Sequence, residues 1–201
     1  LPPLYLNAAE LDPLRSDSEA FAACLNGLGR RDVFDLIPGV VHGFMQMSRW
    51  LPQSAAAYRR AAELAVDVYA NHDAIRFYQQ AITLAGSERD RTSLVDDTGL
   101  AEMHERLGAI LYRLTRNAEA RTVYEQALAL LPPVDVAGHA RMKRLIGNSW
   151  RDDYCYPEAM PHYAAALALL EQAGIGLAVG DNYRDAPTRP VSNSGDSDLL
   201  W

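Results

Sequence analysis

Positive charge is in short supply: 19 Lys and Arg stand against 26 Asp and Glu, for a net charge of -7. A surface that tracks nucleic-acid phosphates works by Lys and Arg displacing counterions, so no DNA or RNA partner is expected. Long apolar runs are missing as well. The stretch Ala164–Leu170 falls far short of the roughly 18 residues that cross a bilayer, which predicts a soluble chain with no membrane partner. Cysteine is limited to Cys24 and Cys155, without C-x-x-C spacing. That argues against a disulfide framework and for buried apolar thiols in a reducing, cytoplasmic setting. The first residue is Leu1 rather than Met, which reads as a fragment, a processed form or the ordered part of a longer chain.

Recognisable chemistry is also absent. His42, His72, His104, His139 and His162 are scattered without the i, i+4 spacing of a helical metal site. "GIGLAVG" at Gly174–Gly180 follows a helical run instead of a strand and has the wrong interval for a dinucleotide loop. No phosphate loop or nucleophile elbow is present. Asp152 and Asp153 fall at a turn between helical runs, where capping accounts for them. No catalytic residue, cofactor or metal is therefore expected, and the chain reads as a non-enzyme.

What the sequence has in abundance is helical pattern. At 201 residues and 49% hydrophobic it can bury one real core. From Asp35 to Gln172 the dominant period is 3.6, rich in Ala and Leu. Breaks at 50–54, 69–73, 85–99, 115–117, 131–138 and 152–157 leave room for seven helices. Upstream, Ser16 followed by Glu19 is a capping-box signal, and a helix from there would close on Gly27 or Gly29. The segment after Gly180 is rich in Gly, Pro, Ser, Asn and Asp, a composition expected to be disordered unless something holds it.

A repeat accounts for a glycine inside a helical run. Twelve residues after Gly108 stands Ala120, followed by Tyr124, Ala127 and Pro132; the same offsets from Gly147 reach Ala159, Tyr163 and Ala166. Leu107 and Ile146 precede the glycines, and Leu111 and Trp150 follow three residues later. A further copy puts Ala62 in the glycine position, with Ala74, Tyr78 and Ala81 behind it. Gly43 followed by Ala55 and Ala62 fits too, so the helix near 51–69 either ends one repeat or begins the next. A glycine costs a helix roughly 1 kcal/mol relative to alanine, and close approach of a neighbouring helix offsets it.

The pattern resembles the tetratricopeptide repeat, W-x2-L-G-x2-Y, A-x3-F, A, P, a pair of antiparallel helices. In residues 101–134, Leu107, Gly108, Ala120, Ala127 and Pro132 match, Tyr124 stands for the aromatic, Leu111 for the tyrosine and His104 for the tryptophan. In residues 140–173, Lys143 and Glu171 depart from the tryptophan and proline. The resemblance implies an all-α, right-handed α-solenoid of antiparallel helix pairs, a TPR-like superhelix. Residues 1–35 would form a helical cap or preceding repeat, 36–173 the repeats (best copies 55–88, 101–134 and 140–173), and 174–201 a linker and tail. The spacing is similar to the extended TPR regions of bacterial signalling ATPases, regulators and cyclases.

The resemblance also implies a concave groove for a peptide or partner helix, lined by the first helix of each pair. Arg141, Arg144, Asn148 and Arg151 share one helical stripe, opposite Met142, Ile146 and Trp150. In this family an Asn after the Leu-Gly or Ile-Gly pair bonds a ligand backbone, where Asn148 stands, and a basic residue at the place of Arg144 meets an acid. Glu105, Tyr112 and Arg59 extend the groove through the other copies. The expected function is a protein-protein interaction or scaffold module; the alternative is a ligand-sensing regulatory domain of a larger bacterial signalling protein. The terminal residues Asp196 to Trp201, acidic and apolar, are expected to dock on a repeat surface of this chain or a second copy, a route to self-association.

Overall fold

The computed structural model describes residues 3–47, 51, 53–88 and 96–174. In chain order these form strand β1 (Tyr5–Leu11), helix α1 (Arg15–Gly27), strand β2 (Val33–Val41), and helices α2 (Gln53–Asp67), α3 (Asn71–Glu88), α4 (Asp97–Arg113), α5 (Asn117–Leu130), α6 (Val136–Asp152) and α7 (Tyr156–Gln172). From α2 onward each helix packs on the one before it, giving the pairs α2–α3, α4–α5 and α6–α7 in a solenoid-like stack. No described helix is long and apolar enough to cross a membrane. The expected tail docking lies outside the described residues.

Within each of the three pairs the two helices are joined by the same turn. Tyr69, Thr115 and Tyr154 all sit in the left-handed region, at φ 59, 58 and 61°. A non-glycine residue there, β-branched Thr115 above all, is strained by about 1–2 kcal/mol. Each turn offsets that strain with the same two hydrogen bonds closing the helix end: Tyr69 N to Val66 O and Ala70 N to Ala65 O, Thr115 N to Tyr112 O and Arg116 N to Leu111 O, Tyr154 N to Arg151 O and Cys155 N to Trp150 O. The starts repeat too. Asp96 accepts from Gly99 N and Asp135 from Gly138 N, both at 2.8 Å. This periodicity settles the frame: α2 opens a pair, and Gly43 lies in a turn at φ 74° rather than in a helix.

One apolar cluster runs through the stack, from Ala62 and Tyr78 through Met103, Leu107 and Tyr124 to Met142 and Ile146. Its long axis lies across the helix pairs, as expected where a single pair cannot bury its own apolar face.

The N-terminal segment differs from the expected helical cap. β1 and β2 pair in parallel, Tyr5 opposite Val33 and Ala9 opposite Ile37, with α1 as the crossover between them. The first of the seven helices expected over 35–172 is therefore strand β2 and the turn after it. "VFDLIPGVV" carries β-branched residues and a Pro38-Gly39 bend that a window tuned to 3.6 absorbs. The Ser16 capping box does not form either: α1 starts at Arg15, its N-cap Leu14 makes no side-chain bond, and Asp12 accepts from Leu14 N instead. A small cluster of Ala9, Val40 and Phe44 docks this unit on Ala57 of α2, and Ser54 donates to Phe44 O at 3.0 Å. The thiols are free but not buried in a core, since Cys24 is exposed and Cys155 half-buried.

Candidate functional site

The two glycines are buried, and the side chain that needs them is the tyrosine sixteen residues on. A Cβ at Gly108 would lie 2.5 Å from Tyr124 Cε1, and one at Gly147 would lie 2.8 Å from Tyr163 Cε1. Ala120 and Ala159 are fully buried as expected, yet the atoms that crowd each glycine belong to the ring. Tyr78 and Tyr124 thereby stand on the floor of a concavity of about 610 Å³. Its walls come from the first helices of the pairs: Arg60, Glu63 and Asp67 on α2, Arg106, Tyr112 and Arg113 on α4, and Leu145 on α6.

Tyr124 is 1% exposed, and its hydroxyl has no hydrogen-bond partner among the described residues. Burial, seconded by Glu105, pushes its pKa up to about 12, so the group stays a neutral O–H donor. Arg113 has no charged partner among the described residues. The floor thus holds an unspent donor beside a free cation, a costly arrangement for a buried group unless a ligand completes it.

Most of the residues expected to bind a ligand are engaged within the chain. Arg59 of α2 donates to Glu102 of α4 at 2.8 Å, and Arg141 of α6 makes a two-pronged pair with Glu105 of α4 at 2.8 and 3.0 Å. Tyr112 donates to Asp152, which Arg151 also contacts at 2.8 Å. The oxygen of Asn148 accepts from the Tyr163 hydroxyl at 2.9 Å. Of the seven, only Arg144 has no such partner among the described residues, and only Tyr112 lines the main concavity. Arg59–Glu102, Arg141–Glu105 and Tyr112–Asp152 are struts between successive first helices, whereas Asn148–Tyr163 joins the two helices of one pair. Glu102 shows it: burial opposes its charge, but hydrogen bonds from Arg106 and Arg59 hold its carboxyl below the usual range. Asp153 is the C-cap of α6, and its carboxylate takes hydrogen bonds from Asn117 and Arg121, tying α5 to the end of α6.

No family model and no curated protein matches the chain. Solved structures do. BtubC (BKLC) from P. vanneervenii superposes with a TM-score of 0.53 at 14% identity, over 77% of this chain and 56% of that one. A crystal structure of MamA gives 0.48 at 19% identity, over 65% of this chain and 68% of that one, and the structure titled MamA MSR-1 C2 gives 0.36 at 22%, over 65% and 70%. The chain spans little more than half of BtubC. At this identity the likeness to BtubC is one of fold alone, and the two MamA superpositions are too loose to add to it. Together with the repeated turns, caps and tyrosines, it marks a TPR-like helical repeat.

A second constellation lies in the N-terminal unit, unseen in the sequence. Asp12 and His42 follow the last residues of β1 and β2 directly, so parallel pairing places them side by side, His42 Nδ1 2.8 Å from Asp12 Oδ2. Asp12 is held by the Leu14 N–H, which is the first reason its carboxyl titrates below the usual range, with His42 second. An ionised Asp12 accepts from Nδ1–H and leaves Nε2 as a base. The pair opens on a concavity of about 290 Å³ with Asn7, Ser18 and Gln46, at the carboxyl ends of parallel strands, where open α/β sheets take ligands. Ser18 donates to Leu14 O at 3.4 Å and not to His42. The signal in the sequence was an Asp and a His each closing a short apolar run; a search for His-to-His spacing passes over it.

Proposed function

We propose that the helical stack is a protein-binding scaffold module, without catalysis of its own, that holds a peptide or partner helix in the concavity between α2, α4 and α6. The unpartnered Tyr124 hydroxyl on the floor of that concavity carries the reading. A ligand carbonyl or carboxylate accepts from it, Arg113 supplies charge beside it, and Asp67 on α2 favours a basic group at the other end. The ligand is thus of mixed charge, laid across the first helices. Peptides selected from a displayed library by the full chain provide the test. Arg113→Ala and Tyr124→Phe should each weaken the selected peptides about tenfold to a hundredfold, the range of one hydrogen bond to a charged group. Unchanged affinity in both variants overturns the groove.

The Asp12–His42 pair supports a second reading, confined to the N-terminal unit: a general base that activates water on an ester or similar acyl group. Nε2 takes the water proton as oxygen adds to the carbonyl, then returns it to the departing alkoxide. Hydrolysis of 4-nitrophenyl acetate by the full chain should exceed the buffer rate and fall to it in His42→Ala. A rate equal to that of His42→Ala at every pH removes this reading.

A further inference from the structure

The struts between first helices follow a rule that the last pair leaves incomplete. Arg59 and Glu105 hold the same place in successive copies, and so do Glu102 and Arg141 on the helices that follow. Arg59 meets Glu102, and Glu105 meets Arg141. The third residue in that place is Arg144, and no acid faces it among the described residues. Beside it the apolar socket is open too. Tyr78 and Tyr124, 1% exposed, share the core with Met103 and Leu107 of α4 and with Met142 and Ile146 of α6. Tyr163, their counterpart, is only half-buried, and Leu167 is 43% exposed. With Ala166 and Leu170 these residues line a concavity of about 510 Å³ that also contains Arg144.

We propose that the α6–α7 face is a docking site for an amphipathic helix of a partner protein, carrying an acid opposite Arg144 and large apolar residues one and five positions after that acid. The specification comes from the two covered junctions, where the strut residue is followed at those positions by Met103 and Leu107, and by Met142 and Ile146, each at most 4% exposed. The occupant continues an interface already built twice in this chain. No acid in residues 175–201 is followed by large apolar residues at both positions, and that stretch contains Pro187 and Pro190. The inference stands apart from the groove reading, because α7 contributes nothing to the main concavity.

The probe is a fluorescein-labelled peptide with the sequence of residues 96–115, which carries Glu102, Met103 and Leu107, titrated with the full chain. Saturable binding is expected, lost in Leu167→Asp. Arg144→Glu should weaken it about fivefold and a peptide carrying Glu102→Lys should restore it, the scale of one exposed ion pair. Absence of binding, or equal affinity for the wild type and Arg144→Glu, overturns the proposal. So does a dimer of the full chain that Leu167→Asp makes monomeric, which assigns the face to a second copy. A Trp201→Ala chain that binds the peptide at least tenfold tighter than the wild type assigns it to the chain's own terminal residues, and overturns it equally.

Discussion

Tyr124 and Tyr163 hold the same position in successive repeats, against the same glycine, and their surroundings differ in one respect: α6 covers the first and no described helix covers the second. The covered ring is buried at the floor of the concavity, and its hydroxyl has no partner among the described residues. The uncovered ring is only half-buried and donates to Asn148. A repeat residue therefore has no fixed energetic meaning of its own; the next helix in the stack decides it.

The sharpest way to break that comparison is to fill the two glycines. Gly108→Ala forces a methyl into a clamped ring, an overpacking of about 1–3 kcal/mol that exceeds the roughly 1 kcal/mol of helix propensity gained. A fall in melting temperature of about 5 °C by circular dichroism is expected. In Gly147→Ala the half-free Tyr163 ring gives way, so the melting temperature should move by less than about 2 °C. Equal losses in the two variants would mean that coverage is irrelevant.

The next effect should change sign between the two sites. Tyr124→Phe removes a buried, unpaired hydroxyl and should raise stability by about 1 kcal/mol, while Tyr163→Phe removes a formed hydrogen bond and should lower it by about 0.5 kcal/mol. Urea midpoints at unchanged slope would read both. A stabilised Tyr124→Phe chain that also binds its peptide less well would show that the hydroxyl is kept at a cost.

His104 tests the covered interior again. It is 8% exposed, its Nδ1 has no partner among the described residues, and burial lowers its pKa. A depressed folded-state pKa means that stability is complete above the unfolded value near 6.5 and is lost as pH falls below it. His104→Phe should gain about 1 kcal/mol at pH 7.5, and more at pH 5.5, where the wild type has begun to weaken. Melting curves at the two pH values check this.

The smallest effect belongs to the struts. Glu102 titrates below the usual carboxylate range, so its contribution is present above about pH 4.5 and fades as pH falls through the folded-state value. Its side chain is 42% exposed, and solvent screening holds the contribution under about 1 kcal/mol. Glu102→Gln should therefore cost about 1–2 °C at pH 7 and nothing at pH 3, measured as melting temperature.

Much of the stack was legible because its rules are local. A fixed offset from a small residue to a tyrosine encodes a contact between two helices joined by a short turn, and Gly108 with Tyr124 reads off directly. The groove residues read less well. Helical spacing puts Arg141, Arg144 and Asn148 on one stripe, yet only the rise from one pair to the next decides whether such a stripe meets a ligand or the neighbouring helix. The N-terminal strands escaped for a related reason: the Ala-rich "YLNAAEL" has no strand period, and its conformation comes from pairing with Val33–Val41 across an intervening helix.

The amino-acid sequence alone determined the small residues, the tyrosines and the Asp caps, and through them a stack of helix pairs, because helix period, capping and neighbour contacts depend on residues close in the chain. Tertiary structure decided which polar groups were consumed and which were left over. Arg59 and Glu102 are 43 residues apart, as Asp12 and His42 are 30, and nothing in local spacing says that such side chains will meet. Which groups stay without a partner among the described residues, the Tyr124 hydroxyl and Arg144 among them, is defined only after every other pairing has been made.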